Sequence, residues 1–177
     1  MVREKEKKIA VFVFVLCIAL SIFATATGTD VAQFGIYQGC AVWKCLTYHF
    51  FHANIFHCLC NVWCLLSLVF AYPVKGWQMA AAFIIASLYP FLPSLNSHLS
   101  PLNSQLSTLP TVGLSGVCFA LMGMQAFVVG RKLFFFSWVI AFIAFGFLFP
   151  NNNALLHLYC YIAGLTVGFL NSPAPWQ

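Results

Sequence analysis

The chain has few charges and is poorest in carboxylates: Glu4, Glu6 and Asp30 are the only acidic residues among 177. The first two flank the start of a long apolar run and the third follows its end, so none is placed at mid-membrane depth. That absence excludes paired-carboxylate catalysis. It also argues against a proton-coupled transporter, which usually keeps a carboxylate within the bilayer. No HExxH occurs, and no CxxC with a second such pair, so neither a metal site nor any other cofactor is expected. Charged residues make up 6% of the chain, against about 25% in soluble domains. Such a chain cannot keep a surface wet. The net charge of +5 is too local for a nucleic-acid footprint, since much of it sits in "VREKEKK" at 2–8.

What the chain has instead is apolar and aromatic bulk, 62% and 18% of residues. A spanning helix needs about 20 apolar residues. Six segments qualify, near 9–27, 54–72, 77–93, 112–130, 133–149 and 154–170. They predict an all-α membrane protein, a single six-helix transmembrane domain over 1–177. "ATA" at 24–26 looks like a signal-peptide cleavage site, but the preceding apolar run exceeds a signal core and reads as an anchor. Basic residues at 3–8, Lys75, Arg131 and Lys132 fall in alternate loops, which predicts both termini in the cytoplasm; Lys44 is the exception. The loop at 94–111 and the "NNN" at 151–153 are then external, the latter a helix-start signal. Most cysteines lie in apolar runs and read as small packing residues. Only Cys40 and Cys45 fall in a loop, where a disulfide is an open option.

The second, fourth and sixth segments would then all run inward from the outer face. Their first turns carry His57 and Asn61, Ser115, and His157 with Tyr161 one turn below. At about 1.5 Å per residue these groups share a depth. Each of the pairs 57/61 and 157/161 lies on one helix face. Singly, a membrane Ser reads as a packing residue and a His or Asn as a helix–helix link. Together, Ser and His are the minimum set for nucleophilic acyl transfer, and His57 with Asn61 can donate to a developing oxyanion. Small residues recur every seven positions at Gly116, Gly123 and Gly130. They recur every four at Cys160, Gly164 and Gly168. Both stripes permit close backbone approach.

"HFFHANIFHCLCN", "GLSGVCFALMG" and a late His-and-glycine helix resemble rhomboid intramembrane serine proteases, over most of the chain from "VWKCLTYHFFH" onward. The resemblance implies a minimal, prokaryotic-type six-helix bundle in a cell (inner) membrane. Its implied activity is endopeptidase cleavage of transmembrane protein substrates near the outer face. Ser115 would be the nucleophile, with His57, Asn61 and the Ser115 amide as oxyanion hole and His52 as a structural outer-loop histidine. "WK" at 43–44 stands where the family has Trp-Arg. The sixth helix departs from the pattern. Aligned on the glycines of "IAGLTVG", the family's histidine position holds Tyr161, whose ordinary pKa near 10 suits a base poorly. One turn earlier, His157 takes that role. The first register implies a catalytically inactive binder of membrane-protein clients, the second an enzyme.

Overall fold

The computed structural model describes residues 2–37, 39–92, 110–148 and 152–172. Among these, seven α-helices occur: α1 (Val2–Thr27), α2 (Val42–Thr47), α3 (Ile55–Ala71), α4 (Gly76–Leu88), α5 (Ser115–Gln125), α6 (Lys132–Gly146) and α7 (Ala154–Leu170). Short 3-10 turns cover Val31–Phe34, Tyr48–Phe50 and Tyr89–Phe91. Most of the external loop expected at 94–111 lies outside the described residues.

Among the described residues, only the Glu4–Thr27 part of α1 is long and apolar enough to span a membrane on its own. The 42–50 segment and α3 pass the same test together but meet at 87°. The other apolar helices are short. α5 is the clearest case, with 11 residues where the apolar run suggests nineteen. It cannot begin earlier because Gly113 takes φ +124°, and the chain beyond Gln125 passes into turns.

α5 is the central element, with α7, α4 and α3 packed around it. Of its 11 residues, nine are buried. α1 lies outside, against α3. Its buried seam is Ala10, Cys17, Ser21 and Ala24, mostly small residues about seven apart, and Cys17 packs on Cys58 and Val62 of α3. At the other end of α1 the buried Glu6 carboxylate accepts from Gly76 N at 3.2 Å, the first amide of α4. That amide has no intrahelical partner, and a carboxylate suits the positive end of a helix.

The outward faces are apolar. Phe12, Phe23, Trp63, Leu133, Trp138 and Leu170 are all exposed, Leu133 to 85%. Soluble monomers rarely expose contiguous apolar surface beyond a few hundred Å². These side chains therefore require a lipid environment.

Candidate active site

Ser115 is the first residue of α5. The chain reaches it through Gly113, whose positive φ is one that L side chains rarely adopt. A Cβ at Gly113 would stand 2.9 Å from His57 Cε1, so glycine also makes room for that ring. The segment from Ile36 to His52 holds the turn from the other side. Gly113 N donates to Tyr48 O at 3.0 Å, and Leu114 N donates to His52 Nε2 at 3.4 Å. The first helical bond of α5 is Cys118 N to Leu114 O. The amides of Ser115, Gly116 and Val117 precede it and are the orphan donors of a helix start.

His157 enters from α7. Asn153 caps that helix, its Oδ1 accepting from Leu156 N at 3.0 Å and from Tyr89 Oη at 3.2 Å. Its Nδ2 donates to Thr111 Oγ1 at 3.0 Å. Thr111 is in turn paired to Ile36 through two backbone bonds of 2.9 Å. The first turn of α7 is thus tied to the 3-10 turn after α4 and to the Ile36–Thr111 bridge.

The small residues Gly116 and Gly123 of α5 and Cys160, Gly164 and Gly168 of α7 face one another, whereas Gly130, expected to extend the first stripe, lies beyond the end of α5 with open space where a Cβ would stand. A methyl at Gly164 would overlap the Ala120 carbonyl, and one at Gly123 would overlap the Tyr161 carbonyl. A Cβ at Gly116 would lie 3.3 Å from Cys160 Sγ. Backbone meets backbone at Gly123, Gly164 and Gly168, so a side chain at any of these positions would push the helices apart. In this register His157 Nε2 lies 2.9 Å from Ser115 Oγ. Phe119, one turn below Ser115, stacks on the imidazole at 4.4 Å and 19°. His157 is 6% exposed and Ser115 is partly open.

The remaining sequence candidates fall as follows. The Tyr161 hydroxyl is buried and has no hydrogen-bond partner. Its carbonyl lies against Gly123 of α5. His57 is half-buried, at 5.3 Å from the His52 ring. Asn61 is buried and its Nδ2 donates to His57 O at 2.9 Å. Among the described residues no hydrogen bond joins His57 or Asn61 to Ser115. Cys40 Sγ and Cys45 Sγ lie 3.9 Å apart and form no disulfide, and among the described residues no group of acidic, His and Cys residues is disposed to hold a metal ion.

Two features escaped the sequence reading. Phe119 could have been found, since position i+4 from Ser115 shares its helix face. A second serine–histidine contact, His49 Nε2 to Ser87 Oγ at 3.0 Å, had no local signal because its members are 38 residues apart.

An apolar helical bundle with a serine at a helix start, touching an imidazole from the neighbouring helix, defines a membrane-embedded serine–histidine site. The chain belongs to the rhomboid family: the Rhomboid domain pattern matches residues 39–174. Members are integral membrane proteins and are generally serine intramembrane proteases. No curated protein matches the chain.

Proposed function

We propose that the protein is an intramembrane serine endopeptidase using a Ser115–His157 dyad. The observation that carries this is the 2.9 Å contact between Ser115 Oγ and His157 Nε2 at the start of α5. For Ser115 to donate, the imidazole must be neutral with its proton on Nδ1. Ser115 Oγ then attacks the scissile carbonyl while His157 Nε2 takes the hydroxyl proton. The oxyanion develops against the Ser115 and Gly116 amides, which have no helical partner and lie at the positive end of α5. His57 and Asn61 donate from the opposite side once the Asn61 amide leaves the His57 carbonyl. His157 returns the proton to the leaving amine, and water repeats the cycle on the acyl-enzyme. The substrates are transmembrane segments that unwind near the outer face, because helical hydrogen bonds otherwise hide the carbonyl. The six apolar segments cross the membrane with both termini in the cytoplasm, which places this site near the outer surface.

A second reading is a non-catalytic binder of membrane clients. The tyrosine in glycine register and the Asn61 amide turned to its own helix favour it. The test is labelling of purified protein by a fluorophosphonate, beside cleavage of a transmembrane reporter. Wild type and Tyr161→Phe should both react, and Ser115→Ala and His157→Ala should not. A wild type that never labels but still captures the reporter supports the binder.

A further inference from the structure

The cysteine pair on the segment from Ile36 to His52 is used neither by the core nor by the proposed chemistry. Cys40 and Cys45 place their sulfurs 3.9 Å apart. Cys45 is buried on α2, whereas Cys40, just ahead of that helix, is half-open to the medium. A disulfide needs about 2.0 Å between sulfurs, so one must move by about 2 Å. Cys40 can supply that movement, because Gly39 before it takes φ +82° with open space around its α-carbon. The other cysteines lie within the helices α1, α3, α5 and α7.

We propose that Cys40 and Cys45 form a redox-active dithiol, which a disulfide in the surrounding medium converts to an intrachain bond. The Cys40 thiolate attacks the disulfide, for instance oxidised glutathione, releasing one glutathione thiol and leaving a mixed disulfide. The Cys45 thiolate then attacks Cys40 Sγ and releases the second. Two protein thiols are oxidised to one disulfide, and one glutathione disulfide is reduced to two thiols. The bond closes a short loop around Trp43 and Lys44. Its downstream anchor begins the stretch whose Tyr48 carbonyl and His52 ring hold the amides ahead of Ser115. Oxidation therefore stiffens the support of that turn. This inference stands apart from the peptidase reading, because thiol chemistry is read without any turnover.

The sequence provides a clean assay. Trypsin cuts after Lys44 and separates the two cysteines into fragments 9–44 and 45–75; because these also carry Cys17 and Cys58, Cys60 and Cys64, fragmentation of the linked peptides places the bond. Purified protein is incubated with oxidised glutathione, its free thiols are alkylated, and the digest is read by mass spectrometry. The expected product is a Cys40–Cys45-linked pair that dithiothreitol abolishes, with a thermal midpoint several degrees above the reduced protein. Cys45→Ser should instead stop at Cys40 glutathionylation. Alkylation of both cysteines after oxidation, a persistent mixed disulfide in wild type, or a link from Cys40 to another cysteine would overturn the proposal. An unchanged midpoint despite the bond would overturn the stiffening.

Discussion

Two serine–histidine contacts of nearly equal length occur among the described residues, Ser115–His157 at 2.9 Å and Ser87–His49 at 3.0 Å. Each imidazole also packs on a phenylalanine, Phe119 at 4.4 Å and Phe83 at 4.5 Å. Distance and aromatic support therefore do not separate them. The helix ends do. Ser115 opens α5, where amides point outward unpaired and the dipole is positive. Ser87 lies in the last turn of α4, where amides are spent on the ladder and carbonyls present the negative end, Ala86 O accepting from Tyr48 Oη at 3.1 Å. An oxyanion formed on Ser115 would meet donors, and one formed on Ser87 would meet acceptors. The Ser87 pair is also closed, with His49 wholly buried and Ser87 at 7% exposure. A hydrogen-bonded Ser and His make a nucleophile only where the backbone can take the charge.

The largest effect expected from this contrast is on turnover. Ser115→Ala should remove reporter cleavage by at least about three orders of magnitude, as removal of a nucleophile does elsewhere. Ser87→Ala should leave kcat within about twofold, since its hydroxyl bonds His49 and not Ser115 or His157. Rates of folded variants in detergent check both. Loss of cleavage in Ser87→Ala with Ser115→Ala still active would invert the assignment.

The two phenylalanines give the next step down. Phe119 lies nearly parallel to the His157 ring and restricts its tilt, and no carboxylate is available to do so. Phe119→Ala should lower kcat by about 10- to 100-fold with little change in KM, in line with a modest misplacement of a reacting group, and Phe119→Tyr should restore it. Phe83→Ala, beneath His49, should lower the thermal midpoint and spare kcat. Equal kcat losses in both would show that the rings act only through packing.

Much of this site can be read from a single sequence because its members follow helical spacing. The glycines of "GLSG", the small residues at 160, 164 and 168, and the Asn153 cap each have a local reason visible in the chain. Whether His157 or Tyr161 meets Ser115 could not be read there. Both lie on one face of α7, and both precede a stripe of small residues. The choice rests on which backbone atoms of α5 lie under Gly164 and Gly168, namely those of Ala120 and Met124, each 44 residues away in the chain. The bonds from Tyr48 and His52 to the Gly113 and Leu114 amides were hidden for the same reason. So was α2, whose six residues are too few for a periodic signal.

His52, in the loop ahead of α3, sets a pH dependence. Burial, with His57 beside it, pushes its ring down to about 3, and its Nε2 must be unprotonated to accept from Leu114 N. The unfolded chain binds this proton near the ordinary pKa of about 6.5, whereas the folded chain resists it. The contribution to stability is therefore complete above about 6.5 and falls with pH toward 3, by up to about 1.4 kcal/mol per pH unit. Thermal midpoints between pH 7 and 5 should fall in wild type and fall less in His52→Asn. Identical slopes would remove His52 from the account.

The smallest effect returns to the silent pair. Ser87→Ala leaves His49 Nε2 without its partner in a fully buried site. An unmet buried group costs about 1–3 kcal/mol in soluble proteins, but helix–helix hydrogen bonds in membranes average only about 0.6 kcal/mol. The expected loss is about 1 kcal/mol, a shift of a few degrees in thermal midpoint. Removing both partners, as His49→Phe with Ser87→Ala, should recover part of it, because neither polar group is then stranded. The corresponding double replacement at Ser115 and His157 should recover nothing in turnover. A Ser87 pair whose double variant is no more stable than Ser87→Ala would mean that His49 acts through its ring packing on Tyr48 and Phe83 rather than through its bond to Ser87.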